Sequence, residues 1–122
     1  MIGYVMVGTN NLDKAINFYD EVLQIINLKR KDTDEFCAGY TQKDGDGTIE
    51  FYVTKPANGK TATFGNGTQV SFIVSSREIV DKFHEIGLKA GGSSEGSGGE
   101  RPEGSGVYLS LIHISEPTRL QD

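Results

Sequence analysis

The residue of this sequence with the clearest chemical potential is Glu50, a carboxylate within the strand-like segment 48–54. Successive side chains of a strand point to opposite faces, so Glu50 shares its face with Tyr52. A carboxylate in a cleft can remove a proton from a substrate, whereas one at a solvated rim only accepts hydrogen bonds. Both roles remain open, and Glu50 is the best single candidate for a general base.

Other residue types that often carry chemistry have simpler interpretations. Cys37 is the only cysteine, so it cannot form an internal disulfide, and we expect a half-buried strand thiol. His84 lies off the apolar stripe of a predicted helix and is expected to face solvent. The run 44–47 has two aspartates of a calcium loop but lacks the remaining ligands, so it predicts a hairpin turn.

Length and charge limit the classes of partner. A chain of 122 residues is one small domain, and a net charge of -5 with acidic residues spread along it disfavours nucleic acid. No apolar run reaches the roughly 18 residues of a membrane span, and the first residues do not resemble a signal peptide. We therefore expect a cytoplasmic protein that contacts neither membrane nor nucleic acid.

The first half of the chain predicts one strand, one helix and three further strands. Residues 2–8 suit a strand, and Asn10 or Asn11 can cap the helix that follows. That helix carries apolar residues at helical spacing, and strands are predicted at 27–32, 35–41 and 48–54. The elements of residues 1–54 thus read βαβββ.

The second half repeats the beginning of this pattern. A strand at 69–74 leads into a helix whose capping box is Ser75 with Glu78 and whose stop is Gly87. Residues 55–67 are a turn-rich linker, and the Gly/Ser-rich run 91–106 is predicted to be a flexible loop at a pocket edge. When Tyr4 is aligned with Gln69, Phe18 falls over Phe83, which indicates a duplicated unit.

This duplicated βαβββ unit, with its helix motif Leu12-Asp13-Lys14-Ala15 to Phe18-Tyr19, resembles the glyoxalase/bleomycin resistance family of the vicinal oxygen chelate superfamily. The resemblance covers residues 1 to about 108 and includes Gly65-Asn66-Gly67-Thr68 and Gly106-Val107-Tyr108. It implies an α+β fold in which two βαβββ modules form a cupped mixed sheet around a small-molecule pocket. It also implies a homodimer.

In that family a divalent metal is often held by side chains from the first and fourth strands of both modules. Here Tyr4 stands at the first histidine position, Glu50 matches the carboxylate and Gln69 stands at the second-module position. Only Glu50 is a strong ligand for a hard cation. We therefore predict no metal site and no cofactor, with a divalent metal as the alternative.

The resemblance also selects the residues that would line the cup. By alternation Tyr4 and Met6 face it from the first strand, and Gln69 and Ser71 face it from the second module. Tyr4, Tyr52 and Tyr108 would supply an aromatic wall. Three functions stay open: a metal-independent protein acting on an unidentified small molecule, with Glu50 as proton acceptor; a metal-dependent lyase or dioxygenase; and a drug-sequestering protein.

The C-terminal residues have a different character. The stretch 109–119 resembles the translated end of a sequencing-library adapter, so residues 109–122 are predicted to be a non-native tail after a second module at 68–108. The last strand of the fold would then be missing or replaced, with Ser115 at the position paired with Glu50. Residues 109–114 are still apolar and β-prone and could extend the strand that begins at Val107. Whether a chain altered in this way keeps an activity is open.

Overall fold

The computed structural model describes residues 1–63, 67–100, 103 and 108–114, and for 95–97 and 108–114 it describes the backbone alone. The predicted motifs that involve Gly65, Asn66, Gly106, Val107 and Ser115 lie outside these residues. In chain order the elements are β1 (Val5–Gly8), α1 (Leu12–Leu23), a 3-10 turn (Gln24–Ile26), β2 (Leu28–Thr33), β3 (Cys37–Gln42), β4 (Ile49–Thr54), α2 (Arg77–Lys89), β5 (Gly92–Glu100) and β6 (Tyr108–Ile114).

The first half forms the βαβββ unit that the sequence predicts. Its four strands make one mixed sheet in the order β1-β4-β3-β2, in which β1 and β4 run parallel and the other neighbours antiparallel. The crossover between the parallel strands contains α1, which covers one face of the sheet. The mixed α+β architecture is confirmed.

The core lies between α1 and the covered face of the sheet. Asn11 caps the helix, since its side chain accepts a hydrogen bond from the Lys14 amide at 3.1 Å. Each large apolar side chain buried here stabilises the fold by about 1.5–3 kcal/mol. The buried residues of the cluster are Leu12, Ala15, Ile16, Phe18, Tyr19, Val22, Leu23, Leu28, Ala38, Tyr40, Phe51 and Val53.

The predicted strand at 69–74 is not formed, although its side-chain alternation is correct. Val70 and Phe72 pack against the core, whereas Gln69 and Ser71 are exposed. The Phe72 ring lies 5.6 Å from that of Phe51, measured between centroids. Side-chain packing therefore holds this extended segment, and a strand requires in addition a backbone partner, which local sequence does not specify.

The prediction of a loop at 91–106 is wrong for residues 92–100, which form β5. This strand pairs antiparallel with β6, with register shifts between Ser94 and Gly96 and between Gly96 and Gly99. Glycines disfavour strands intrinsically, but a β-prone partner can override that preference. Residues 109–114 supply this partner, and they do extend a strand as expected. The proposed non-native origin of residues 109–122 stays a prediction.

Both ends of α2 differ by a few residues from the prediction. Ser76 is the N-cap instead of Ser75, and its hydroxyl accepts a hydrogen bond from the Ile79 amide at 3.3 Å. The helix passes through Gly87, which is buried, and continues to Lys89. A glycine inside a helix costs about 1 kcal/mol relative to alanine, which tertiary packing can offset.

Within the described ranges, no helix is both long enough and apolar enough to cross a membrane.

Candidate functional site

The face of the sheet opposite α1 carries four of the predicted site residues. Phe51 and Val53 of β4 are buried against α1, so Tyr52 points the other way. Glu50 is the exposed residue at the irregularity where the β3–β4 register shifts between Ile49 and Phe51. Met6 lies opposite Tyr52 in the β1–β4 register, and Tyr4 precedes β1 on the same side. We call this surface the open face and define it by Tyr4, Met6, Glu50 and Tyr52; Gln42, at the end of β3, contacts Glu50.

Aromatic and thioether side chains make much of the open face apolar. The rings of Tyr4 and Tyr52 meet edge to face, with centroids 5.1 Å apart and planes at 77°. Tyr4 is 57% exposed and Met6 is 50% exposed. The Tyr52 ring lies across Gly39 of β3, where a Cβ would stand 3.0 Å from the ring. Gly39 therefore allows the ring to lie close to the sheet.

Glu50 is held by a neutral partner. The side-chain amide of Gln42 donates to both carboxylate oxygens of Glu50, at 2.9 and 3.2 Å. No cation forms an ion pair with Glu50 in the described part of the chain. The amide orients the carboxylate and leaves its negative charge uncompensated, with lone pairs available to a ligand.

The remaining predicted pocket residues lie elsewhere or cannot be placed. Gln69 and Ser71 are on the exposed side of segment 68–74, and among the described contacts no hydrogen bond joins either to the open face. Tyr108 lies in β6 opposite Glu100, and its side chain is outside the described atoms. The structure thus brings together Tyr4, Met6, Glu50 and Tyr52. The described atoms do not place Gln69, Ser71 or Tyr108 with them.

The residues at the family's metal positions do not fit a divalent ion in the described part of the chain. No group of three His, Cys, Asp or Glu residues converges there. Tyr4 and Gln69 offer a neutral phenol and a neutral amide, which are weak ligands for hard or borderline cations. Glu50 is the single strong ligand type among the three.

His84 is buried, so the prediction of a solvent-facing imidazole is wrong. Only 6% of the residue is exposed, and its Nε2 shares a hydrogen bond with the Ser94 hydroxyl at 3.0 Å. Helix α2 packs against β5 and β6 in addition to α1, which covers a helix face that the apolar stripe does not reveal. The sequence gives no signal for this contact because β5 is composed of Gly, Ser and Glu residues.

Cys37 is a half-buried strand thiol, as predicted. Burial raises the pKa of the Cys37 thiol, and the nearby charge of Asp34 raises it further. A protonated thiol is a poor nucleophile and a poor metal ligand. Cys37 therefore has no place in the candidate site.

Sequence reasoning missed a polar network on the other side of the sheet. Asp20 of α1 accepts a hydrogen bond from the Tyr40 hydroxyl at 2.9 Å and two from the Arg30 guanidinium, each at 3.1 Å. Burial raises the pKa of Tyr40 far above its usual value, and the contact with Asp20 adds to the effect. The phenol stays protonated at neutral pH, which makes this network structural.

Comparison with known proteins places these observations in context. Residues 1–119 match the Glyoxalase/Bleomycin resistance protein/Dioxygenase superfamily. A glyoxalase/bleomycin resistance protein from Albidiferax ferrireducens T118 is 30% identical, with 98% of this chain and 93% of that chain covered and a TM-score of 0.83. A comparison with curated protein sequences gives no significant match.

More distant solved structures share the fold. A glyoxalase/bleomycin resistance protein/dioxygenase family enzyme from Burkholderia phytofirmans PsJN is 16% identical, with 96% of this chain and 92% of that chain covered and a TM-score of 0.69. A glyoxalase-related enzyme from Fulvimarina pelagi is 14% identical, with coverages of 98% and 85% and a TM-score of 0.60. At these identities the likeness concerns the fold alone.

Proposed function

The chain belongs to the glyoxalase/bleomycin resistance protein/dioxygenase superfamily, and from this premise we propose that its open face binds a small organic molecule without a metal ion. One observation carries the proposal: the Tyr4–Tyr52 ring pair and Met6 share the open face with Glu50, a carboxylate oriented by the neutral Gln42. Apolar surface next to a few oriented polar groups is typical of ligand pockets.

The apolar part of the open face would provide most of the binding free energy. Covering exposed apolar surface contributes about 25 cal/mol per Å². Tyrosine rings also stack on flat ligands and lose little conformational freedom, because Tyr52 already lies against Gly39 and Tyr4 against Tyr52. The ligand is therefore expected to have an apolar, preferably aromatic, body.

Glu50 defines the polar end of the ligand. Its carboxylate has no cationic partner among the described residues, so a positively charged or hydrogen-bond-donating group would satisfy it. A cation on this face could also contact the π faces of Tyr4 and Tyr52. We propose a small aromatic amine as the ligand class.

The test compares phenethylamine with its neutral isostere 2-phenylethanol, by calorimetry and amide chemical shifts, in buffer containing a chelator. We expect the amine to bind more tightly and to shift resonances of β1 and β4. Glu50→Gln should weaken amine binding roughly tenfold, since hydrogen bonds to charged groups contribute about 1.5–3 kcal/mol. The matched control is Glu78→Gln, which removes an exposed carboxylate of α2.

Two results would overturn this proposal. One is equal affinity for the amine and the alcohol, or no binding of either. The other is stoichiometric metal in protein purified without chelator, lost on Glu50→Gln, because that would make Glu50 a ligand of a metal centre.

The Gln42–Glu50 contact favours a second candidate, in which Glu50 accepts a proton from a bound substrate. The Gln42 amide holds the Glu50 carboxylate in place and leaves it lone pairs. These could accept a proton from a carbon or an oxygen atom of the substrate. The test incubates small carbonyl compounds with the protein in D₂O and follows deuterium incorporation beside the carbonyl. Incorporation that Glu50→Gln abolishes would support catalysis, and incorporation at the uncatalysed rate would exclude it for these compounds.

A further inference from the structure

A depression separate from the open face lies where β1 and β4 end. It has a volume of about 550 Å³ and is lined by loop residues that include Thr9, Phe36, Lys55, Pro56 and Lys60. The two strands run parallel, so both carboxyl ends meet at this edge. The volume is that of a small-molecule pocket. No residue that defines the open face lines the depression.

One wall of the depression, the loop 55–62, is fixed by hydrogen bonds. The Asn10 side chain accepts from the Ala62 amide at 2.7 Å and donates to the Ala62 carbonyl at 3.2 Å. Gly8 allows this approach, because a Cβ there would lie 3.3 Å from the Ala62 Cβ. The loop thus lies close against the start of α1, and it positions Lys55 and Lys60.

The facing wall is an exposed aromatic ring on an equally fixed backbone. Asp34 Oδ1 accepts from the Phe36 and Cys37 amides at 2.8 and 2.9 Å, and the Lys55 amide donates to the Phe36 carbonyl at 2.8 Å. Phe36 is nevertheless 59% exposed. A large apolar side chain that is held at a pocket rim and left uncovered is available for a flat ligand.

The charge of the depression is opposite to that of the chain. Lys55 and Lys60 are the charged residues of its lining, and neither forms an ion pair within the described part of the molecule. The whole chain carries a net charge of -5. The polar side chains of Thr9, Asn10 and Thr54 already bond to backbone groups, which leaves the two ammonium groups as the recognition elements.

We propose that this depression binds a small organic anion with a flat apolar body, of the aryl carboxylate class. The ring of the ligand lies against Phe36 and Pro56, and its carboxylate contacts Lys55 and Lys60. Each ammonium provides a charge-assisted hydrogen bond, and the fixed loops limit the ordering that binding requires. The site is separate from the open face in both location and preferred charge.

The test titrates the full chain with benzoate and with neutral benzamide, followed by amide chemical shifts. We expect benzoate to shift resonances of Phe36 and of the loop 55–62 in the millimolar range, and benzamide to bind at least several-fold more weakly. The double variant Lys55→Gln/Lys60→Gln should weaken benzoate binding roughly tenfold or more. Lys82→Gln, an exposed lysine of α2, is the matched control for loss of charge and should change nothing.

Each outcome decides the proposal. Selective binding of benzoate, lost in the double variant and in Phe36→Ala but kept in Lys82→Gln, supports it. Equal response to benzamide, unchanged binding in the double variant, shifts confined to other residues or no response at all overturns it. Both lysines are exposed, so thermal melting should confirm that the variants stay folded.

Discussion

At the scale of single residues, Asp20 of α1 joins Arg30 of β2 and Tyr40 of β3 in one polar network. The Tyr40 hydroxyl is buried with Asp20 as its partner, and Arg30 binds the same carboxylate through two N–H groups. Arg30 remains about one third exposed, so solvent weakens the ion pair. The buried phenol therefore matters more for stability than the charged pair does.

Tyr40→Phe should lower the free energy of unfolding by about 1–2 kcal/mol, because one hydrogen bond is lost and no buried charge is stranded. It should also change the alkaline pH dependence. The folded-state pKa of Tyr40 is raised, so its contribution is fully present below about pH 10 and is lost as the pH rises toward the folded pKa. Urea denaturation between pH 8 and pH 11 measures both effects, and the variant should show the flatter decline above pH 10.

Tyr52→Phe is the control for this experiment, since it removes a phenol from the open face of the same sheet. The raised pKa of Cys37 contributes a decline in the same direction from about pH 8.5, which both variants retain. Identical pH profiles for Tyr40→Phe and the unaltered chain would contradict a raised pKa of Tyr40 in the folded state.

Residues of the site differ in how far their positions could be predicted. Period-two alternation places Met6 and Tyr52 on one face because these side chains lie opposite each other in the regular β1–β4 register. His84 was not predictable, since its burial depends on a strand whose sequence does not look like one. The apolar stripe of a helix reveals the face that packs on the main core. It does not reveal a second face that packs on another element.

At the scale of elements, two adjacent asparagines have separate tasks. Asn11 caps α1, whereas Asn10 joins the loop 55–62 to the β1–α1 junction. Sequence alone leaves the cap undecided between them, because both are asparagines and either position suits an N-cap. Only the tertiary contact with Ala62 separates the two roles.

This separation predicts different phenotypes for the two alanine variants. Asn11→Ala should lower the global unfolding free energy by about 1 kcal/mol, the usual effect of losing an N-cap. Asn10→Ala should chiefly raise hydrogen exchange at the Ala62 amide, whose hydrogen bond it removes, since local opening of a loop need not involve the core. Amide exchange and denaturant unfolding of both variants provide the measurement.

A reversed result, with fast exchange in Asn11→Ala and protection in Asn10→Ala, would contradict the assignment of roles. The same variants also test the proposed benzoate site, because Asn10→Ala removes the two hydrogen bonds that fix the loop 55–62. Benzoate binding should therefore weaken in Asn10→Ala and persist in Asn11→Ala.

Strand predictions succeed or fail for a comparable reason. The strands β3 and β4 contain β-prone residues and enclose a recognisable turn, so their existence follows from local sequence. Residues 69–74 have the same local character but no ladder partner among the described strands. Residues 92–100 have the opposite combination, poor propensity with a strong partner in β6. Pairing is a non-local property that single-sequence patterns do not contain.

At the scale of the whole molecule, the resemblance to dimeric family members predicts that two copies associate. The exposed apolar side chains of Met1 and Ile2 give surface outside the open face that a second copy could cover. Light scattering coupled to size exclusion should then show twice the chain mass of 13.3 kDa. A concentration-independent monomer would contradict this expectation and leave the ligand sites as properties of one chain.

The two halves of the chain are joined through aromatic packing, which connects Phe51 of β4, Phe72 and Phe83 of α2. Helix α2 also packs on the hairpin formed by β5 and β6. A two-stranded sheet is only marginally stable without such cover, so α2 and the hairpin depend on each other. Residues 109–114, which the sequence predicts to be non-native, thus form most of a strand that supports α2.

Deletion of residues 109–122 tests this dependence. Removing most of β6 leaves β5 without its partner and exposes the face of α2 that contacts the hairpin. We expect amide protection to be lost in α2 and β5 while it persists in β1 to β4, whose sheet and α1 have their own buried cluster. Hydrogen exchange followed by mass spectrometry locates the change. Full protection of α2 in the shortened chain would show instead that its contacts with α1 and with Phe72 suffice, and that β6 adds nothing to the fold.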